Sequence, residues 1–292
     1  MFNIYECCSN IIARQYGVLI NREKTVFEDV DIEDIHEMRV AVRRIRSAFR
    51  SFRPCISQDH RKFILKDLKC LARVLGKVRD LDIAIAFFKD YDKRYPENKG
   101  VSFLIKYCKK RRKARKKVLF SFLRSKRYLT LKENFVCFND YLKDNVDKGV
   151  EVSVQKDFYR SFEPIIEEVF SYKEVKDLLS SDLELHDLRI AIKYLRYNLE
   201  FIDLKSKEAT NIVKILRNYQ NILGLINDYN IMAERVTGVA RKSGLKRPEK
   251  EGVKRFLSYL NGLKNEEKNN LVLPWDVLSF EEIKTLYLPD VF

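Results

Sequence analysis

The 292-residue chain is 46% hydrophobic and 12% aromatic, which provides for a packed interior and argues against global disorder. Nine glycines and six prolines are too few for a turn-rich β architecture and favour long helices. A formal net charge of +15 selects an anionic partner, while no apolar run approaches the roughly 18 residues that cross a bilayer, so no membrane span is expected.

The first helix is expected over residues 3 to 22, with apolar Ile4, Ile11, Ile12 and Val18. An acidic loop follows (Glu28, Asp29, Asp31, Glu33, Asp34), whose last acids suit a helix N-terminus. The next helix runs from Asp34 to Arg53 and stops at Pro54. Residues 58 to 94 are helical in pattern, with Gly76 inside and Pro96 beyond. A very basic helix occupies 99 to 124, and another covers 126 to 145 with Leu129, Leu131, Phe135, Phe138 and Leu142 as its apolar face. Val146 to Ser153, containing Gly149, reads as a linker.

A helix over 155 to 170 opens the second half. Ser181-Asp182-Leu183-Glu184 has the form of a capping box, and a long helix starts there and reaches Lys205. Further helices are expected over 208 to 243 and 248 to 265, then a tail with Pro274, Trp275 and Pro289 around a short helix, Ser279 to Tyr287. The start of the chain, MFNIYECCSNIIARQYG, has no basic n-region or A-x-A-like site, so no signal peptide is read and a cytoplasmic location is expected. The six cysteines (Cys7, Cys8, Cys55, Cys70, Cys108, Cys137) form no C-x-x-C pair and read as free, mostly buried thiols.

The halves repeat. HEMRVAVRRIRSAFRSF from His36 aligns with HDLRIAIKYLRYNLEFI from His186, and VLGKVRDLDIAI from Val74 aligns with ILGLINDYNIMA from Ile222. Two matched blocks at a common offset imply one helical unit in 1–148 and a second, with the C-terminal tail, in 149–292, packed about a pseudo-twofold axis.

At about 100° per residue, Met38, Val42, Ile45, Phe49 and Phe52 form a core stripe. His36, Arg39, Arg43, Arg46 and Arg50 form a second stripe at its edge. In the other half Leu188, Ile192, Leu195, Leu199 and Ile202 face the core, and His186, Arg189, Lys193 and Arg196 take the basic stripe. From Arg39 to Arg50 the row covers about 16 Å, with a guanidinium every turn. Arginine presents a planar fork to phosphate oxygens and keeps its charge when partly desolvated. A basic row at the border of an apolar one is expected to line a groove, where an anion completes it.

Residues 101 to 127 contain no acid, and Lys106, Lys109, Lys113 and Lys116 make one helical row, a candidate second wall. His36 and His186 sit at equivalent helix starts, each followed by an acid, which does not suit metal ligation; donation to phosphate and a capping or packing role both remain open. Gly76 and Gly224 read as close-packing points between helices. Asp80 and Asp228 read either as partners orienting the basic side chains or as surface ion pairs.

These motifs, H-x-x-R-V-A-V-R-R-I-R at His36, H-x-x-R-I-A-I-K-Y-L-R-Y at His186, L-G-K-V-R-D at Leu75 and L-G-L-I-N-D at Leu223, resemble those of the CHAD family, the conserved histidine α-helical domain. The resemblance covers nearly the whole chain. It implies an all-α fold of two four-helix bundles related by pseudo-twofold symmetry, a basic central channel that binds inorganic polyphosphate, and association with polyphosphate granules. It also implies a stand-alone module, since the thirty or so residues before His36 leave no room for the triphosphate-processing domain often fused to such modules. Glu200 stands where the first half has Arg50, and Asn227 where it has Arg79, so the second half is expected to grip phosphate less strongly.

The competing reading is a nucleic-acid-binding protein using the 106–117 helix and Tyr107, Tyr194 and Tyr197 as stacking surfaces. No phosphate-binding G-x-x-x-x-G-K-[ST] loop and no repeated acidic cluster for Mg²⁺ are present, so catalysis, a metal and a cofactor are not expected.

Overall fold

Long amphipathic segments bounded by caps dominate the sequence, and the computed structural model turns them into an all-helical protein. It describes residues 4–28, 32–148, 156–158, 160–174, 178–202, 206–271, 273 and 277–287, among which there is no strand. The helices are α1 (Ile4–Glu28), α2 (Ile32–Ser51), α3 (Gln58–Arg94), α4 (Lys99–Leu123), α5 (Lys126–Lys148), α6 (Glu163–Ser171), α7 (Asp182–Ile202), α8 (Lys207–Lys242), α9 (Arg247–Asn269) and α10 (Phe280–Tyr287). No described helix is long and apolar enough to cross a membrane.

The caps explain the boundaries. Ser57 accepts from the His60 amide, Asn98 from Val101, Ser181 from Glu184 and Ser206 from Ala209, each satisfying a donor the helix leaves orphaned. At α9 the Glu249 carboxylate accepts from the Lys246 amide at 2.8 Å, with Pro248 in the first turn. The acidic loop is shorter than expected. Glu28 ends α1, and Glu33 and Asp34 already belong to α2, where Asp34 is buried against Arg22 at 3.1 Å. The expected linker is helical as far as Lys148. The rest of it, with Gly149, lies outside the described residues, as do Pro274, Trp275, Pro289 and the expected extension of α7 to Lys205.

The interior divides by height along the helices and not by halves of the sequence. A large core joins α1, α2, the first half of α3, the end of α4, α5, α6, α7, the first half of α8 and α10. A second core unites Ile85, Phe88 and Tyr91 of α3 and Leu104 and Cys108 of α4 with Met232 and Val236 of α8 and Phe256 and Leu260 of α9. Thus α3 (37 residues) and α8 (36 residues), each over 50 Å at ~1.5 Å per residue, run through both.

Where α4 meets α9 the backbones touch. A Cβ on Gly100 would lie 2.5 Å from the Glu249 carbonyl oxygen, and one on Gly252 would lie 2.2 Å from the Asn98 side chain. These are the close-packing glycines. Gly76 and Gly224 are not, since a Cβ at Gly76 meets nothing within 4 Å and one at Gly224 meets only Arg189 Nε at 3.8 Å.

Both core stripes of the repeated helices are buried as expected, from Met38 to Phe52 and from Leu188 to Leu199; the side chain of Ile202 lies outside the described residues. On α5, Leu129 is exposed and Tyr128 is buried in its place, with its hydroxyl on Glu23. Cys8, Cys55 and Cys108 are buried; Cys7 and Cys70 are half-buried and Cys137 is exposed. Burial pushes the Cys55 thiol up to about 12.

Candidate functional site: a basic trough between the two His-Arg helices

Helices α2 and α7 pack against each other, and the borders of their core stripes face a trough whose side walls are α3 and α8. It consists of two cavities. One, of about 660 Å³, is lined by Arg39, Arg43, Arg46 and Arg50 of α2, by Arg53, by Arg61 of α3, and by Arg189, Lys193 and Tyr194 of α7, among others, with no acid among the described residues. The second, of about 420 Å³, contains His36, Arg39, Arg43, Arg79, Asp80, His186, Arg189, Asn227, Asp228 and Arg235. Arg39, Arg43 and Arg189 belong to both, so the cavities adjoin at these side chains. Among the described residues, ten arginines and lysines face two acids along this path, an excess that repels itself unless an anion is present.

The two stripes differ in depth. Arg43, Arg46 and Arg50 are exposed along a rim, whereas Arg189 and Lys193 are half-buried. Burial first, then Arg189, Arg43, Arg50 and Arg46, lower the Lys193 ammonium to about 8. Burial, then Asp228 in the opposite sense, shape Arg189, whose Nε is buried without a hydrogen-bond partner. The Arg50 guanidinium lies 3.8 Å from the centre of the Tyr194 ring and Lys193 Nζ 4.7 Å from it, so two cations already engage the one tyrosine in the trough.

The acids lie in the second cavity. Asp80 receives Arg39 at 3.9 Å from α2 and Arg235 at 3.4 Å from α8, whose guanidinium also donates to the Asp80 carbonyl. Asp80 thus pairs with one arginine from each half of the sequence. Arg79 is held by Glu33 at 3.0 Å. His186 Nδ1 lies 2.6 Å from Asn227 Oδ1. His36 has no such amide; burial, Arg79, Arg43 and Arg39 hold it below its ordinary range, while Glu33 opposes them. His60, outside the repeat, bonds the Ser57 hydroxyl at 2.7 Å and packs on Tyr141.

Of the residues singled out from the sequence, His36, Arg39, Arg43, Arg46, Arg50, His186, Arg189 and Lys193 converge on the trough. Arg196 does not. It is buried, donates to Glu200 at 2.5 Å and Gln220 at 2.8 Å, and lines neither cavity. Glu200, which also receives Arg217, neutralises it; a base at that position would have left the charge unpaired. Lys106, Lys109, Lys113 and Lys116 of α4 also line neither cavity: the first three are exposed and Lys116 is half-buried, with its ammonium over Phe120. Helix α4 packs on α3 and α9, so α3 lies between this row and the trough.

Arg79, whose counterpart in the second half is Asn227, lines the trough as well, and Arg53, Arg61 and Arg235 are trough residues not singled out beforehand. Arg53 continues the Arg39–Arg50 row one step further, and Arg61 shares a helical stripe of α3 with Arg79, so the signal was present for two of the three. Among the described residues no group of three or more metal-ligating side chains forms.

The CHAD-domain family model matches residues 10–237. This chain belongs to the CHAD family. The match spans both His-Arg blocks and both L-G-x-x-x-D blocks. Among solved structures, the CHAD domain from the plant Ricinus communis superposes with a TM-score of 0.69 at 22% identity, covering 93% of each chain. PptA from Streptomyces chartreusis superposes with a TM-score of 0.72 at 10% identity, over 92% of this chain and 97% of that one. At these identities the likeness establishes the fold alone. No curated protein matches the chain by sequence.

Proposed function

We propose that this CHAD protein binds inorganic polyphosphate along the trough, without turning it over. The observation that carries this reading is the run of bases without an acidic partner among the described residues: Arg43, Arg46, Arg50, Arg53, Arg61 and Lys193 all line the acid-free cavity. A repeating, unbranched anion offers one oxygen cluster after another to such a row, and arginine forks match those oxygens.

The trough speaks against nucleic acid as the preferred ligand. Tyr197 is buried, Tyr107 packs on Phe103 and the second core, and Tyr194 is engaged by Arg50 and Lys193. Tyr197 therefore offers no surface on which a base could stack, and a base at Tyr107 or Tyr194 would compete with the contacts they already make. Nucleic acid would compete mainly through its phosphates. Through this ligand the protein would associate with polyphosphate granules in the cytoplasm.

The test is calorimetric titration of long-chain polyphosphate at several salt concentrations into the wild type and the double variant Arg43→Ala/Arg46→Ala, with circular dichroism on both. The double variant should stay folded, bind more weakly and lose affinity less steeply with salt. Unchanged affinity in a folded double variant would remove the row from the site. Incubation with polyphosphate and Mg²⁺ should leave chain length unaltered; phosphate release would contradict the non-catalytic reading.

A further inference from the structure

Two glycines sit in the middle of the trough's longest helices with no local reason to be there. Gly76 of α3 and Gly224 of α8 have regular helical backbone, neither having a positive φ. Glycine within a helix weakens it relative to alanine. Close packing does not call for it either, since the only atom near either Cβ position is Arg189 Nε, 3.8 Å from that of Gly224.

Their placement on the helices supplies the reason. At about 100° per residue, Gly76 falls within the arc of α3 that carries the lining residues Arg61, Leu65, Ala72, Arg79, Asp80 and Ile83. Along the helix it lies between Ala72, in the first cavity, and Arg79, in the second. Gly224 falls within the arc of α8 that carries Asn227, Asp228, Ile231 and Arg235, and its bare Cα faces Arg189, a residue of both cavities. Each helix thus lacks a side chain at one point of its trough-facing arc: on α3 between residues of the two cavities, and on α8 opposite Arg189, which lines both.

We propose that Gly76 and Gly224 keep a passage open between the two cavities, so that one unbranched anionic chain passes through it and occupies both at once. The inference rests on the polyphosphate reading above and adds what that reading lacks, a reason for the site to favour long chains. From His36 to Arg50 the path is about 21 Å along α2. A short oligophosphate occupies one cavity, whereas a long chain bridges the two and gains from their linkage. A side chain at Gly76 would sever that bridge while leaving the lining residues of each cavity in place.

The experiment compares Gly76→Leu, Gly76→Ala, Gly224→Leu and a control, Gly17→Leu, whose position in α1 is equally open but outside the trough. Each is titrated with long-chain polyphosphate and with tripolyphosphate, and its thermal midpoint is measured. All four should be at least as stable as the wild type, because leucine and alanine are better helix formers than glycine. Gly76→Leu should weaken long-chain binding by about a hundredfold, towards the tripolyphosphate value, and leave tripolyphosphate binding unchanged, whereas Gly224→Leu, which also abuts Arg189, should weaken long-chain binding as much and tripolyphosphate binding far less. Gly17→Leu should change neither. Full long-chain affinity in Gly76→Leu and Gly224→Leu would overturn the proposal. So would an equal loss for tripolyphosphate, or a fall in thermal midpoint in Gly76→Leu and Gly76→Ala alike, which would make Gly76 a packing glycine. A wild type that binds neither anion would instead refute the polyphosphate reading itself.

Discussion

Lys193 makes anion binding in the trough measurable as proton uptake. In the free protein its ammonium titrates at about 8, depressed by burial and by four neighbouring arginines, against an ordinary 10.5. A polyanion laid across those arginines supplies the missing counter-charge and returns the lysine towards 10.5. The sign follows from linkage. Well below pH 8 the lysine is charged with or without ligand, and binding takes up few protons. Between about 8 and 10.5 the free form has lost a proton that the bound form keeps, so affinity falls as pH rises. With those two values, binding at about pH 9 takes up about 0.9 proton, and affinity falls about eightfold between about pH 7.5 and about pH 9.

Free-protein stability should move the other way in the same window. An unfolded chain holds this proton more tightly than the folded one, so folding becomes more favourable as pH rises through it. Titrations in buffers of different ionisation enthalpy give the proton count directly. Lys193→Arg, which stays charged throughout, should bind with no proton uptake in this range and a nearly flat pH profile. Proton uptake that persists undiminished in Lys193→Arg would refute the assignment, and so would a wild-type affinity that rises with pH.

Ile45→Ala, on the core stripe beside the basic one, should lower stability by roughly 2–5 kcal/mol in chemical denaturation, whereas Arg43→Ala/Arg46→Ala should not. Lys106→Ala/Lys109→Ala/Lys113→Ala should change polyphosphate affinity in the trough by less than about threefold at moderate salt, because these lysines lie beyond α3; a calorimetric loss comparable to the Arg43/Arg46 double variant would show that they contact the chain. Gly100→Ala should cost about 1–3 kcal/mol by thermal unfolding, since its Cβ would meet the backbone of α9.

Helix α3 illustrates what local sequence can determine. Ser57 caps its start, and Gln58–Arg94 coincides with the expected span. The stripe on α2 was equally legible, because one helix's periodicity separates Met38, Val42 and Ile45 from Arg39, Arg43 and Arg46 without reference to anything else. Arg196 could have been read more closely, since Glu200 follows it by four residues, the spacing at which helix side chains meet. The lysine row of α4 was assigned by charge alone. Leu104, Cys108, Leu119 and Leu123 mark the buried arc of that helix, and Lys106, Lys109 and Lys113 lie about 80–140° from an axis through Val101 and Leu119, facing solvent. Arg112 falls on the buried arc and there meets buried Asp82. The second core was not legible. It forms only when the far ends of α3, α4, α8 and α9 come together, and no single helix's pattern records that meeting.

The central claim is that the trough recognises a repeating inorganic anion by its charges, without stacking on bases. Competition tests it most directly: labelled long-chain polyphosphate bound to the protein is challenged with single-stranded RNA or duplex DNA at equal phosphate concentration, and the reverse exchange is run alongside. The account predicts that polyphosphate displaces either nucleic acid and is not displaced by them, and that Arg43→Ala/Arg46→Ala removes this advantage. Displacement of polyphosphate by RNA or DNA at equal phosphate would contradict it.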